Sequence, residues 1–278
     1  MLAVAPTRSS ISTPAALHAL TGIALQDARQ VVEEFWTALR TGQFEPWFQP
    51  QVDVQTGHWV GFEALIRWNH PIHGVLAPGS FLPWFERFGL TPQLDRWTLE
   101  RVMELREGWN RRGLRSPRVA VNLAPQTLQS ERIVADVLDV FARFGGSARA
   151  VEVEVTEGTA LDASCHENLR ALVSAGIPVS LDDFGAGYAA LATLADTAAS
   201  GLKLDRSLIR DVHRNARQAI VVRHIIRLAS ELGLTLVAEG IECADQLSWC
   251  RGEGVSVVQG FGLCRPMPPG TAEARLRP

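Results

Sequence analysis

Val119-Ala120-Val121-Asn122, Val151-Glu152-Val153-Glu154 and Val179-Ser180-Leu181-Asp182 are three short β-rich runs, and each closes on a polar side chain. Between them, Ile133 to Phe144 and Asn168 to Ala175 place apolar residues at helical spacing. Strand, helix and strand in this order pair in parallel through right-handed crossovers. The rhythm continues toward the C-terminus: Leu202-Lys203-Leu204, Leu236-Val237-Ala238-Glu239 and Val257-Val258-Gln259 read as strands, with helices over Ala219 to Leu232 and Gln246 to Gly252. Toward the N-terminus, Trp47 to Val52 and Trp59 to Phe62 flank the turn-like Gln55 to His58, so they are predicted to pair as an antiparallel hairpin. Helices are predicted over Leu25 to Leu39, Phe81 to Phe88 and Leu94 to Trp109. With the hairpin the strands number about eight, which closes a barrel, and the fold expected is α/β: a (β/α)8 TIM-like barrel with an antiparallel first strand pair.

Composition agrees with one large domain. The 278 residues are 46% hydrophobic and 21% charged, with a formal net charge of −3, which describes a globular chain and lacks the basic surface of a DNA-binding protein. Residues 1–24 are rich in Ala, Ser, Thr and Pro and read as a flexible tail or linker, leaving residues 25–278 as the folded domain. Neither an apolar run long enough to span a membrane nor a signal-peptide core is present in the sequence, so a cytoplasmic location is expected. Cys165, Cys243, Cys250 and Cys264 form no CxxC pair and read as reduced, small buried residues.

The chemistry is expected where the strands end. Glu63, Asn122, Glu154, Asp182 with Asp183, Lys203, Glu239 and Gln259 each close a strand-like run, and in a barrel all such ends meet on one face. One acidic strand end is commonplace, because loops and helix caps begin there. Several together repel one another and call for a cation. Carboxylates and an amide oxygen, with no Cys or His placed among them, suit Mg2+ or Mn2+ better than zinc or copper. The tandem Asp182-Asp183 can bridge or flank two cations. Lys203 admits two roles of equal weight: a hydrogen bond to an attacking water, or a plain counter-ion to a neighbouring carboxylate.

These residues match a known pattern, and from Trp36 to Met267 the chain resembles the EAL domain family, whose members hydrolyse cyclic di-GMP to the linear dinucleotide pGpG. The motif stands as Glu63-Ala64-Leu65-Ile66-Arg67, followed by Val121-Asn122-Leu123, Glu154-Val155-Thr156-Glu157, Asp182-Asp183-Phe184-Gly185, Leu202-Lys203-Leu204-Asp205, Ala238-Glu239-Gly240-Ile241-Glu242 and Gln259-Gly260-Phe261. The resemblance implies that Glu63, Asn122, Glu154 and Asp182 bind one metal, and that Asp182, Asp183 and Glu239 bind a second. It assigns Lys203, Glu239 and Glu63 to catalysis, with Gln259 assisting through the metal's water shell. Gln49, Arg67, Glu242 and Gln259 are implied to contact the dinucleotide, and Glu157 to steady the loop from Asp183 to Tyr188. It also implies a homodimer and a sensory or regulatory domain or partner. Ala124 stands where the family usually has Ser, and Ala189-Ala190 replace a common Ser-Ser; these losses weaken loop hydrogen bonding without removing a ligand.

Two rival readings frame the test. Some EAL domains have lost catalysis and act as cyclic di-GMP receptors, typically without the metal ligands that this sequence keeps. An enolase-type barrel would also place carboxylates and a lysine at strand ends, but needs neither the tandem aspartates nor Glu-x-Leu-x-Arg. His70 and His73, separated by Pro71, read as a turn rather than a metal pair.

Overall fold

A computed structural model describes residues 26–144, 147–156, 158, 163–186, 194 and 198–276. Its nine strands are β1 (Phe44–Asp53), β2 (Trp59–His70), β3 (Gly74–Leu76), β4 (Arg118–Asn122), β5 (Val151–Thr156), β6 (Val179–Phe184), β7 (Gly201–Leu204), β8 (Thr235–Ala238) and β9 (Val257–Val258). The order β1-β9-β8-β7-β6-β5-β4-β2 closes on itself through β1–β2, and β3 extends β2 as a hairpin. The eight-stranded (β/α)8 barrel is therefore present. Strand β1 runs against both neighbours, pairing Gln49 with Glu63 on β2 and Val52 with Val258 on β9. All remaining barrel pairs are parallel.

The helices that wrap the sheet include α1 (Gln26–Arg40), α2 (Leu82–Arg87), α3 (Thr91–Arg111), α4 (Pro125–Leu128), α5 (Ile133–Phe144), α6 (Ala163–Ser174), α7 (Arg206–Ile209), α8 (Ala216–Glu231), α9 (Ala244–Gly252) and α10 (Pro269–Glu273). Valines and leucines on the outward faces of the strands, such as Val119, Val121, Val153, Leu181 and Leu202, pack against them in one continuous core. Burial of such side chains contributes about 1.5–3 kcal/mol each. No helix among the described residues is long and apolar enough to cross a membrane.

Inward positions alternate with these and are mostly polar. Glu152 and Glu154 on β5, Ser180 and Asp182 on β6, and Gly201 and Lys203 on β7 form two successive layers. In the lower layer Ser180 Oγ donates to Glu152 Oε1, and a side chain at Gly201 would collide with Ser180 Oγ. The upper layer holds the site.

Several strands depart from the sequence expectation: β1 begins earlier, at Phe44, β3 is additional, and β5 runs past Glu154 to Thr156. β2 does not stop near Phe62 but continues to His70, so Glu63 lies inside a strand rather than at its end. The cause is a second, aromatic cluster in which Phe35 of α1, Phe44, Ile66, Trp68, Phe81 and Phe85 pack together and hold the upper half of the β1–β2 ribbon in place. β6 likewise runs past Asp182-Asp183 to Phe184. Of the four cysteines, Cys165 and Cys250 are buried, whereas Cys243 is exposed and Cys264 half-buried, so the buried-residue expectation holds for two of them.

Candidate metal centre and active site

Lys203 lies at the centre of the upper layer and is 1% exposed. Its Nζ is 2.8 Å from Glu239 Oε1, 2.9 Å from Glu154 Oε1, 3.1 Å from Asp182 Oδ1 and 3.5 Å from Glu63 Oε2. Strands β2, β5 and β6, and the residue that follows β8, thus deliver four carboxylates to one ammonium. Burial acts to neutralise Lys203, but the surrounding carboxylates outweigh it and hold the group protonated. Burial raises Glu154 well above the usual carboxylate range despite Lys203, with repulsion from Glu63, Asp182 and Glu239 adding to it. Burial also pushes Glu239 up to about 8.

Asp183 completes the group by an irregular route. In a regular strand Asp182 and Asp183 would point to opposite faces. Here β6 carries an irregularity between Leu181 and Phe184, and Asp183 adopts φ 55°, a left-handed conformation that no other described non-glycine residue shares. A bulge of this kind re-aims a side chain. Carboxylate oxygens of Asp182, Asp183 and Glu239 then lie within 4.8 Å of one another, as do those of Glu63, Glu154 and Asp182. Asp182 belongs to both triplets.

Amides fix the remaining orientations. Asn122 Nδ2 donates to Glu63 Oε1 at 3.0 Å, and Gln259 Nε2 donates to Glu63 Oε2 at 2.5 Å and to Gln49 Oε1 at 3.2 Å. Gln49 Nε2 in turn donates to the Cys264 carbonyl. Gln49 is therefore bound into the wall of the site. Arg67 rests 5.4 Å from the centroid of the Trp47 ring, with Nη1 on the carbonyls of Leu65 and Ile66. Glu242 is exposed and outside the buried cluster, its backbone N–H bonded to Gln246 Oε1. Glu157, Tyr188, Ala189 and Ala190 lie outside the described residues. His70 Nδ1 accepts from the N–H groups of Ile72 and His73, the bonding of a turn.

The donor set fits divalent cations. Neither buried oxygen of Glu154 nor Oε1 of Glu239 receives an aligned hydrogen bond, and an all-oxygen set suits hard ions. The cluster holds five carboxylates, four of them against the one ammonium, which leaves four negative charges when all are ionised. Two divalent cations balance four charges.

The family model for the EAL domain matches residues 32–266. The chain belongs to the EAL domain family. The EAL chain is 36% identical over 246 residues to the bifunctional diguanylate cyclase/cyclic di-GMP phosphodiesterase MucR of Pseudomonas aeruginosa, covering 87% of this chain and 36% of MucR. It is 36% identical over 253 residues to the cyclic di-GMP phosphodiesterase NbdA of the same organism, covering 89% of this chain and 32% of NbdA. The chain spans about a third of the length of these relatives. Among solved structures, the PaMucR phosphodiesterase in complex with c-di-GMP superposes with a TM-score of 0.82 at 34% identity, over 87% of this chain and 99% of that one.

Proposed function

We propose that this EAL domain is a phosphodiesterase that hydrolyses cyclic di-GMP to pGpG with Mg2+ or Mn2+. The observation that carries this reading is the pair of carboxylate triplets sharing Asp182, the pattern of a two-cation site for in-line displacement at phosphorus. A receptor that had lost catalysis has no need to keep both triplets intact.

Glu63, Asn122, Glu154 and Asp182 would hold one cation, and Asp182, Asp183 and Glu239 the other. When bound, the cations supply an activated water and charge stabilisation at the phosphate. The side chains do the rest. Lys203 keeps its proton and spaces the carboxylates, and in this reading it would also hydrogen-bond the attacking water. Gln259 and Asn122 hold both oxygens of Glu63 in fixed directions. Arg67, stacked on Trp47, offers its remaining guanidinium N–H groups to a phosphate or guanine of the dinucleotide. A homodimer and an attached regulatory domain belong to the same reading.

The test compares the native chain with Glu63→Ala for cyclic di-GMP binding and hydrolysis. Turnover should vanish in the variant while the circular dichroism spectrum is kept. Equal turnover in both would overturn the assignment.

A further inference from the structure

Asp95 of α3 is buried, and no salt bridge to it is found among the described residues. A buried carboxyl is costly unless its bonds are satisfied. Its Oδ2 accepts two: the backbone N–H of Ala124 at 2.8 Å and the hydroxyl of Thr127 at 2.5 Å. Ala124 is the N-cap of α4, two residues beyond Asn122, and Thr127 lies in that short helix. The same helix is stitched to its neighbours by Thr91 Oγ1 donating to Gln126 Oε1, and by Gln126 Nε2 donating to the Glu86 carbonyl. Leu123 N–H donates to the Glu154 carbonyl. The backbone N–H of Ala124, between Leu123 and the turn helix α4, is thus held from outside the barrel by Asp95.

That grip reaches the acidic cluster. Asn122 has committed Nδ2 to Glu63 Oε1, so its carbonyl Oδ1 is the atom left to face a cation. A cavity of about 300 Å3 is lined by Glu63, Asn122, Ala124 and Asp95 together, which leaves room for the turn to shift if its anchor is lost. We propose that Asp95 is a positioning residue: by holding Ala124 and Thr127 it fixes the β4 exit and so the direction of the Asn122 amide in the cation site. This rests on the two-cation reading above. Groups that orient metal ligands in this indirect way are worth about 10–100-fold in metal affinity.

The test is Mn2+ affinity, measured by electron paramagnetic resonance of free Mn2+ on the native chain and variants, with melting temperature recorded for each. Asp95→Ala should weaken Mn2+ binding about 10-fold. Asp95→Asn, which keeps an acceptor oxygen for both donors, should bind like the native protein. In an Asn122→Ala background, Asp95→Ala should cause no further loss. An unchanged affinity in Asp95→Ala, or the same loss with and without Asn122, would show a general packing role and overturn the inference. If Asp95→Ala does not fold, Thr127→Val takes its place, with a loss of several-fold expected and native affinity overturning the proposal. A native chain that binds no Mn2+ overturns the metal reading and this inference with it, whereas native binding that is insensitive to Asn122→Ala overturns this inference alone.

Discussion

Asp183 follows Asp182 at φ 55°, and this single left-handed residue turns both carboxylates of the pair toward one volume. A left-handed non-glycine residue costs about 1–2 kcal/mol, so the strain is retained where it serves the site. Asp183→Gly should raise the melting temperature by a few degrees and abolish cyclic di-GMP turnover. Asp183→Asn should keep the native melting temperature, because Asn tolerates this conformation, and still lose turnover with the charge. Calorimetry and a hydrolysis assay on the two variants separate strain from chemistry.

Ala124 is the N-cap of α4 and makes no side-chain capping bond. Ala124→Ser supplies the missing acceptor and should stabilise the fold by about 1 kcal/mol. Urea denaturation of the variant, at unchanged slope, reads this directly.

The Asp95 carboxyl is raised from 3.8 to about 7, chiefly by burial, with the Thr127 and Ala124 hydrogen bonds opposing. Between these two values the folded chain binds a proton that the unfolded chain has released, so stability is greatest below pH 4 for this group and falls as pH rises to about 7. The full effect is on the order of 4 kcal/mol. Asp95→Asn removes it. Denaturation across pH 4–7 should show a shallower decline in the variant, and an identical pH profile would contradict the burial account.

How much of this was legible in the sequence follows from where local pattern decides structure. The β-rich run ending in Asn122 is set by alternation and ends where the pattern places it, and Glu239 directly follows the end of β8, whereas β5 continues past Glu154 to Thr156. The end of β2 is not set by alternation, because the reach to His70 depends on Phe35, Phe81 and Phe85 from distant segments. Adjacent aspartates announced a shared role, but only the bulge shows how neighbours in a strand face the same way. Asp95 carried no signal of its own: an acidic residue in an amphipathic helix reads as solvated, and its burial comes from the turn packed over it.

Lys203 touches four carboxylates, which accommodates both a counter-ion and a catalytic role. If it orients the attacking water, Lys203→Ala should lower kcat by a factor on the order of 10²–10³ with little change in KM. A counter-ion alone predicts a lower melting temperature or weaker metal binding, with kcat restored by excess Mn2+. Steady-state kinetics across a Mn2+ titration distinguish them.

The central claim is that the paired triplets make a working hydrolase rather than a binding module. The most direct measurement is to incubate the pure chain with cyclic di-GMP and Mn2+ and follow the nucleotides by chromatography, before and after chelation. The expected result is conversion to pGpG that stops with chelator and resumes when Mn2+ is restored. Tight binding of cyclic di-GMP with no pGpG formed at any Mn2+ or Mg2+ concentration would contradict the account.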